Sequence, residues 1–199
     1  MTRCPRRGTP RSRAFAGWVM GLAGWRVDGE LPDAPKFVMV VAPHTSNWDF
    51  TLGVLAMLTV GVQLTWLGKH TLFRFPVDGL LRWLGGEPVN RSAPRGVVGA
   101  AIDNFRARDA WVFAVAPEGT RQAVPTWKTG FHRVAMATGV PILPIFIDYR
   151  RRAVRIGTLV EMTGDVTADV AGLRRLFDPG MARYPDLFVA EPSGALVES

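Results

Sequence analysis

A chain of 199 residues, 48% of them hydrophobic, holds enough apolar material for one compact domain with a full core, and nothing in its length calls for two. The net charge of +7 rests almost wholly on arginine, Lys36, Lys69 and Lys128 being the lysines. It calls for an anionic partner: nucleic acid, an acidic membrane or a phosphorylated substrate. The lone cysteine, Cys4, excludes a disulfide framework and a cysteine metal site and fits a reducing compartment.

Arg3, Arg6, Arg7, Arg11 and Arg13 precede an uncharged run over residues 14–25, too short for a bilayer span of about 20 residues. As a helix it places Phe15, Trp18, Val19, Leu22 and Trp25 on one stripe. We read it as a helix in the membrane interface, its arginines drawn to anionic lipid. A cleaved secretory signal and a helix packed on the domain's own core are the alternatives. Residues 36–41 read as a buried strand stopped at Pro43, and residues 46–60 as a helix capped by Thr45 or Ser46. The uncharged run over residues 50–68 divides at Gly61 into that helix and a strand at 63–67, so it is not a membrane span.

Further along, residues 73–84 suggest an amphipathic helix closed by Gly85 and Gly86, followed by a loop to Arg91. Residues 95–108 repeat Val97, Val98, Ala101, Ile102 and Phe105 at helical spacing. A strand at 111–116, a helix at 128–138 ended by Gly139, a strand at 141–149 and another at 152–162 follow. Residues 168–177 read as a last helix, and residues 178–199 as a loose tail. Alternating helices and continuously apolar strands predict a single α/β domain: a largely parallel, mixed central sheet covered on both faces. We divide the chain into a basic N-terminus with its helix (1–30), a core (31–165) and a C-terminal helix with tail (166–199).

In such sheets ligands gather beyond the carboxyl ends of the strands. His44 and Asp49 follow one strand, and Glu118, Gly119, Thr120 and Arg121 follow another. A histidine titrates in the right range to take a hydroxyl proton, and a carboxylate can orient its ring. On a regular helix a five-residue offset turns the side chains about 140° apart. The pair meets only if His44 lies on the turn before the helix and Asp49 in its first turns. The alternative is a histidine that caps the helix and an aspartate that answers its dipole. No serine or cysteine nucleophile has a comparable setting, Ser46 reading as a cap, so direct transfer to a substrate hydroxyl follows. His70 and His132 lack partners at metal-ligand spacing, and we assign no metal. Arg91 and Arg121, on strand-following loops, can chelate a phosphate. An Arg121–Glu118 bridge is the structural alternative.

Four blocks carry a resemblance: residues 44–49 (His-Thr-Ser-Asn-Trp-Asp), Gly86 through Arg91, residues 117–121 (Pro-Glu-Gly-Thr-Arg) and residues 140–144 (Val-Pro-Ile-Leu-Pro). In order and spacing they resemble the glycerolipid acyltransferase superfamily, the PlsC-like 1-acylglycerol-3-phosphate acyltransferases and their relatives. The resemblance implies that His44 is the general base and Asp49 its partner. It implies a head-group site made by Gly86, Arg91, Glu118, Gly119, Thr120 and Arg121, and an acyl-donor side lined by Val140, Pro141 and Pro144. It further implies transfer of a fatty acyl group from acyl-CoA or acyl carrier protein to a lysolipid hydroxyl. The expected setting is peripheral, at an anionic surface on the cytoplasmic face of the cell membrane. No cofactor, no covalent enzyme intermediate and no nucleic acid partner are expected. Acylation of a lysolipid without phosphate, such as an aminolipid, and a catalytically silent lipid binder are the alternatives.

Overall fold

The computed structural model describes residues 3–89 and 96–190. Its seven strands are β1 (Arg26–Asp28), β2 (Lys36–Ala42), β3 (Thr65–Lys69), β4 (Gly86–Val89), β5 (Trp111–Val115), β6 (Ile142–Asp148) and β7 (Ala153–Ile156). They form one sheet in the order β1-β7-β6-β2-β5-β3-β4. The neighbours from β6 through β4 are parallel, β6 and β7 pair antiparallel, and β1 pairs parallel with β7. The predicted mixed, largely parallel sheet is therefore present.

The central strands are continuous apolar runs because both their faces are covered. Along β2, Val38, Val40 and Ala42 enter one core with Phe113 of β5 and Phe146 of β6. Phe37 and Met39, pointing the other way, join Val112, Leu143, Ile145 and Ile147 in a second core. The first core lies beneath α4 (Gly96–Ala107), α5 (Gly130–Thr138) and α6 (Val166–Arg174). The second lies beneath α1 (Pro10–Leu22) and α2 (Asn47–Val60).

Helix α2 starts where the sequence predicts, with Ser46 as cap, and ends at Gly61, whose φ of +67° suits glycine. Helix α1 begins with a Thr9–Ser12 capping box and ends at Leu22, so Trp25 falls outside it. It buries Ala16 and Met20 while Phe15, Trp18 and Leu22 stay exposed. Among the described residues no helix is long and apolar enough to cross a membrane.

Four expectations change. The helix over 73–84 contracts to α3 (Asp78–Trp83), because Pro76 lacks an N–H and disfavours helix before it. The loop after Gly85 is instead the edge strand β4, where Pro88 is tolerated because an edge leaves one side of the backbone unpaired. The strand over 152–162 shortens to β7, and Val160 returns as a bridge to Ile142. The segment 178–190 is not loose. It forms two short 3₁₀ turns, buries Met181, Ala182 and Phe188, and holds β6 through the Tyr149 N–H to Met181 C=O bond of 2.9 Å.

Candidate functional site

The carboxyl ends of β2, β3 and β5 share one edge of the sheet, and the chemistry-bearing loops gather there. His44 lies two residues beyond β2. Its N–H donates to both carboxylate oxygens of Glu118, at 3.0 and 3.1 Å. The chain then turns into α2 through a capping box. Ser46 Oγ accepts from the Trp48 N–H at 3.2 Å, and Asp49 Oδ2 accepts from the Ser46 N–H at 2.7 Å. The box puts Asp49 at the third helical position, the first-turn placement on which convergence with His44 depends. His44 Nδ1 stands 3.6 Å from Asp49 Oδ2, the aspartate side chain fully buried and the imidazole one-fifth exposed. Asp49 is thus both a helix-capping acid and the neighbour of the imidazole. Thr45 takes a different task from capping: its Oγ1 accepts from the Tyr184 N–H at 3.3 Å.

A separation of 3.6 Å is too long for a hydrogen bond, and among the described residues Nδ1 has no other partner. Burial lowers the pKa of His44, the Asp49 charge opposes that shift and Arg121 reinforces it. The net shift favours the neutral imidazole, the form a base requires. Burial pushes Glu118 up to about 7, against the lowering effect of the His44 N–H, with Asp49 pushing the same way and Arg174 opposing.

His44 and Asp49 open into a cavity of about 790 Å³. Its polar mouth includes Gly119, Thr120, Arg121 and Lys128. Its walls are apolar: Met39, Val41, Val54, Met57, Ile145 and Ile147 on the α2 side, with Phe113, Val115, Phe131 and Val134 on the α5 side. Gly53 lines it too, and a Cβ added there would meet nothing within 4 Å. At Gly119, φ is +67° and a Cβ would lie 2.6 Å from Lys128 Nζ, so the lysine lies across this turn.

The structure brings together His44, Asp49, Glu118, Gly119, Thr120 and Arg121. Glu118 serves the His44 backbone, and among the described residues it makes no bridge to Arg121. Arg91 lies outside the described residues. Gly86 is placed elsewhere: a Cβ there would lie 2.7 Å from Trp66 Cζ2 and 2.8 Å from the Leu81 carbonyl oxygen, so its smallness admits the indole. Val140, Pro141 and Pro144 do not line the cavity. Parallel neighbours run in the same direction, so the entry to β6, where Ile142 pairs with Val38, is remote from the exit of β2. Pro144 sits mid-strand opposite Val40, and Ile145 and Ile147 supply the wall instead.

Sequence reasoning missed Lys128, whose signal was its rarity as one of three lysines in an arginine-rich chain. It also missed Tyr149, whose hydroxyl donates to Asp49 Oδ1 at 2.7 Å. That contact spans 100 residues and had no local signal.

Comparison with known proteins gives a consistent answer. A family model described as acyltransferase matches residues 26–148. The 1-acyl-sn-glycerol-3-phosphate acyltransferases of Escherichia coli (strain K12) and Salmonella typhimurium are each 30% identical over 166 residues, covering 75% of this chain. That of Haemophilus influenzae is 28% identical over 141 residues, covering 65% of this chain and 56% of its own length. The chain spans about 65% of the length of the first two relatives. The crystal structure of the 1-acyl-sn-glycerophosphate (LPA) acyltransferase PlsC from Thermotoga maritima shares the fold. Its TM-score is 0.54 at 21% identity, over 77% of this chain and 69% of that one.

Proposed function

The chain belongs to the acyltransferase family, and we propose that it transfers a fatty acyl group from a thioester, acyl-CoA or acyl carrier protein, to the hydroxyl of a lysophospholipid resembling 1-acylglycerol 3-phosphate. One observation carries this reading: an imidazole beside a buried carboxylate opens into an apolar cavity whose mouth holds two cations.

In the proposed reaction the acceptor oxygen attacks the thioester carbonyl while His44 takes its proton. Asp49 stabilises the imidazolium that results, the 3.6 Å gap closing as the charge develops. The carbon–sulfur bond then breaks, His44 returns the proton to the departing sulfur, and the products are the ester and the free thiol. No protein atom becomes acylated. Arg121 and Lys128 hold the acceptor phosphate by charge-assisted hydrogen bonds. The cavity wall takes an alkyl chain, each buried CH₂ contributing about 0.8 kcal/mol. The exposed Phe15, Trp18 and Leu22 of α1, following a run of arginines, support peripheral binding to an anionic membrane, and we place it at the cytoplasmic face by family resemblance alone. The mechanism needs no metal or cofactor beyond the acyl donor.

The test is a panel of lysolipids, with and without phosphate, offered with oleoyl-CoA or oleoyl-acyl carrier protein, product being followed by mass spectrometry. Transfer to the phosphate-bearing acceptor is expected, and Arg121→Ala should raise that acceptor's KM about tenfold with little change in kcat. Binding of lysolipid without transfer from either donor would mark a silent lipid binder. Preference for an acceptor lacking phosphate, with KM untouched in Arg121→Ala, would remove the phosphate grip.

A further inference from the structure

Both carboxylate oxygens of Asp49 are occupied by donors from different parts of the chain. Oδ2 accepts from the Ser46 N–H and Oδ1 from the Tyr149 hydroxyl, each at 2.7 Å. The two donors leave the carboxylate little freedom to rotate. They fix the plane from which Oδ2 faces His44 Nδ1 at 3.6 Å.

Tyr149 follows the last residue of β6 and is itself held firmly. Its N–H donates to the Met181 carbonyl at 2.9 Å. Its ring meets Trp25 edge-on, centroids 4.9 Å apart and planes at 85°. The Arg183 guanidinium lies 5.9 Å from the ring centroid. Burial and the Asp49 charge push the phenol pKa upward, so it stays a donor throughout the neutral range.

We propose that Tyr149 is a positioning residue for the proton-transfer pair. Its hydroxyl sets the orientation of the Asp49 carboxylate and draws part of its negative charge away from His44. The inference rests on the reading of His44 as base and Asp49 as its partner. Among the described residues, the charged and titratable groups that bear on His44 are Asp49, Arg121 and Glu118, the last through the His44 backbone N–H; Arg183 bears on the Tyr149 hydroxyl. A hydrogen bond to a carboxylate weakens its pull on a neighbouring cation. Removing that bond therefore strengthens the pull on the imidazolium and raises the pKa of His44. A tyrosine that merely fills space would leave that pKa alone.

The experiment is an NMR titration of the three histidine imidazoles in the full chain, wild type against Tyr149→Phe. The phenylalanine keeps the ring against Trp25 and removes the hydroxyl alone. The His44 midpoint should rise by about half a pH unit or more, while unchanged ring signals of the buried His132 report an intact fold. With oleoyl-CoA and 1-oleoylglycerol 3-phosphate, the acid limb of kcat should move up with it. Plateau kcat should fall about tenfold, with both KM values unchanged within about twofold. If Tyr149→Phe does not fold, replacing both tyrosines with 3-fluorotyrosine, a more acidic phenol of nearly the same shape, should lower the His44 midpoint. A His44 midpoint that stays fixed, or moves against these directions, overturns the proposal. Full transfer activity in His44→Ala would instead defeat the reading of the base itself. An inactive His44→Ala beside an unmoved His44 midpoint in Tyr149→Phe would defeat only the role given to Tyr149.

Discussion

The molecule contains two histidine–aspartate pairs built to opposite ends. In α5 and α6, His132 Nε2 meets Asp169 Oδ2 at 2.8 Å, both side chains 5% exposed. Asp169 also accepts from the Thr163 N–H and hydroxyl and the Gly164 N–H. Four groups converge on that carboxylate, three on Oδ2 and the Thr163 hydroxyl on Oδ1; the pair lines no part of the cavity, and it ties the entry of α6 to α5. His44 and Asp49 stand 3.6 Å apart, with Nδ1 unpartnered and the ring in the cavity wall. A saturated pair is a fastener, because any proton movement would break bonds already made. An unsaturated one has room for a charge to appear and be answered. Distance alone would favour His132–Asp169, whereas the proposed mechanism uses the longer pair.

The widest separation between the two should come from truncating each histidine pair in turn. His44→Ala should cut acyl transfer by roughly 10²–10⁴-fold with the thermal midpoint unchanged, read by calorimetry beside the transfer assay. If both pairs were structural, the midpoint would fall instead. Asp169→Ala should do the reverse. Leaving the His132 and Thr163 donors without an acceptor should cost about 2 kcal/mol, a fall in Tm of roughly 4–8 °C, with transfer per folded molecule unaltered. A smaller effect is the position of the acid limb of kcat/KM. Since burial lowers the His44 pKa and a base must be unprotonated, activity should persist below the ordinary histidine value of 6.5. A limb at or above that value would count against the open pair as a neutral base.

The smallest expected effect concerns Glu118, the carboxylate beneath the open pair. Its pKa is raised to about 7 from an ordinary value of 4.5. The folded state therefore binds its proton more tightly than the unfolded state across that window, and stability falls as pH rises through it. Glu118→Gln keeps an acceptor for the His44 N–H and removes the buried charge. Its Tm relative to wild type should be near parity at pH 4.5 and should climb until about pH 7. A difference independent of pH would show that folding leaves the Glu118 pKa unshifted.

The amino-acid sequence by itself determined the layered α/β architecture, because strands covered on both faces must be apolar throughout and covering helices must be apolar on one side. It also determined the placement of His44 and Asp49, since the Ser46 cap and its capping box are local and specify the turn that brings them together. Gly119 was equally legible, a turn residue followed closely by Arg121. Strand β4 was not, because its Gly, Glu and Pro disfavour a strand and only pairing with β3 makes it one. The wall of the cavity passed to Ile145 and Ile147 rather than Val140, Pro141 and Pro144 because strand direction, a tertiary property, decides which end of β6 lies near His44. Tyr149 reaches Asp49 across 100 residues, and Tyr184 reaches Thr45 across 139. Periodicity and capping act within a few residues and carry no information over such distances. Asp169 takes three of its contacts from Thr163 and Gly164, five and six residues away, whereas Asp49 receives its Oδ1 donor only because the assembled sheet brings Tyr149 to it.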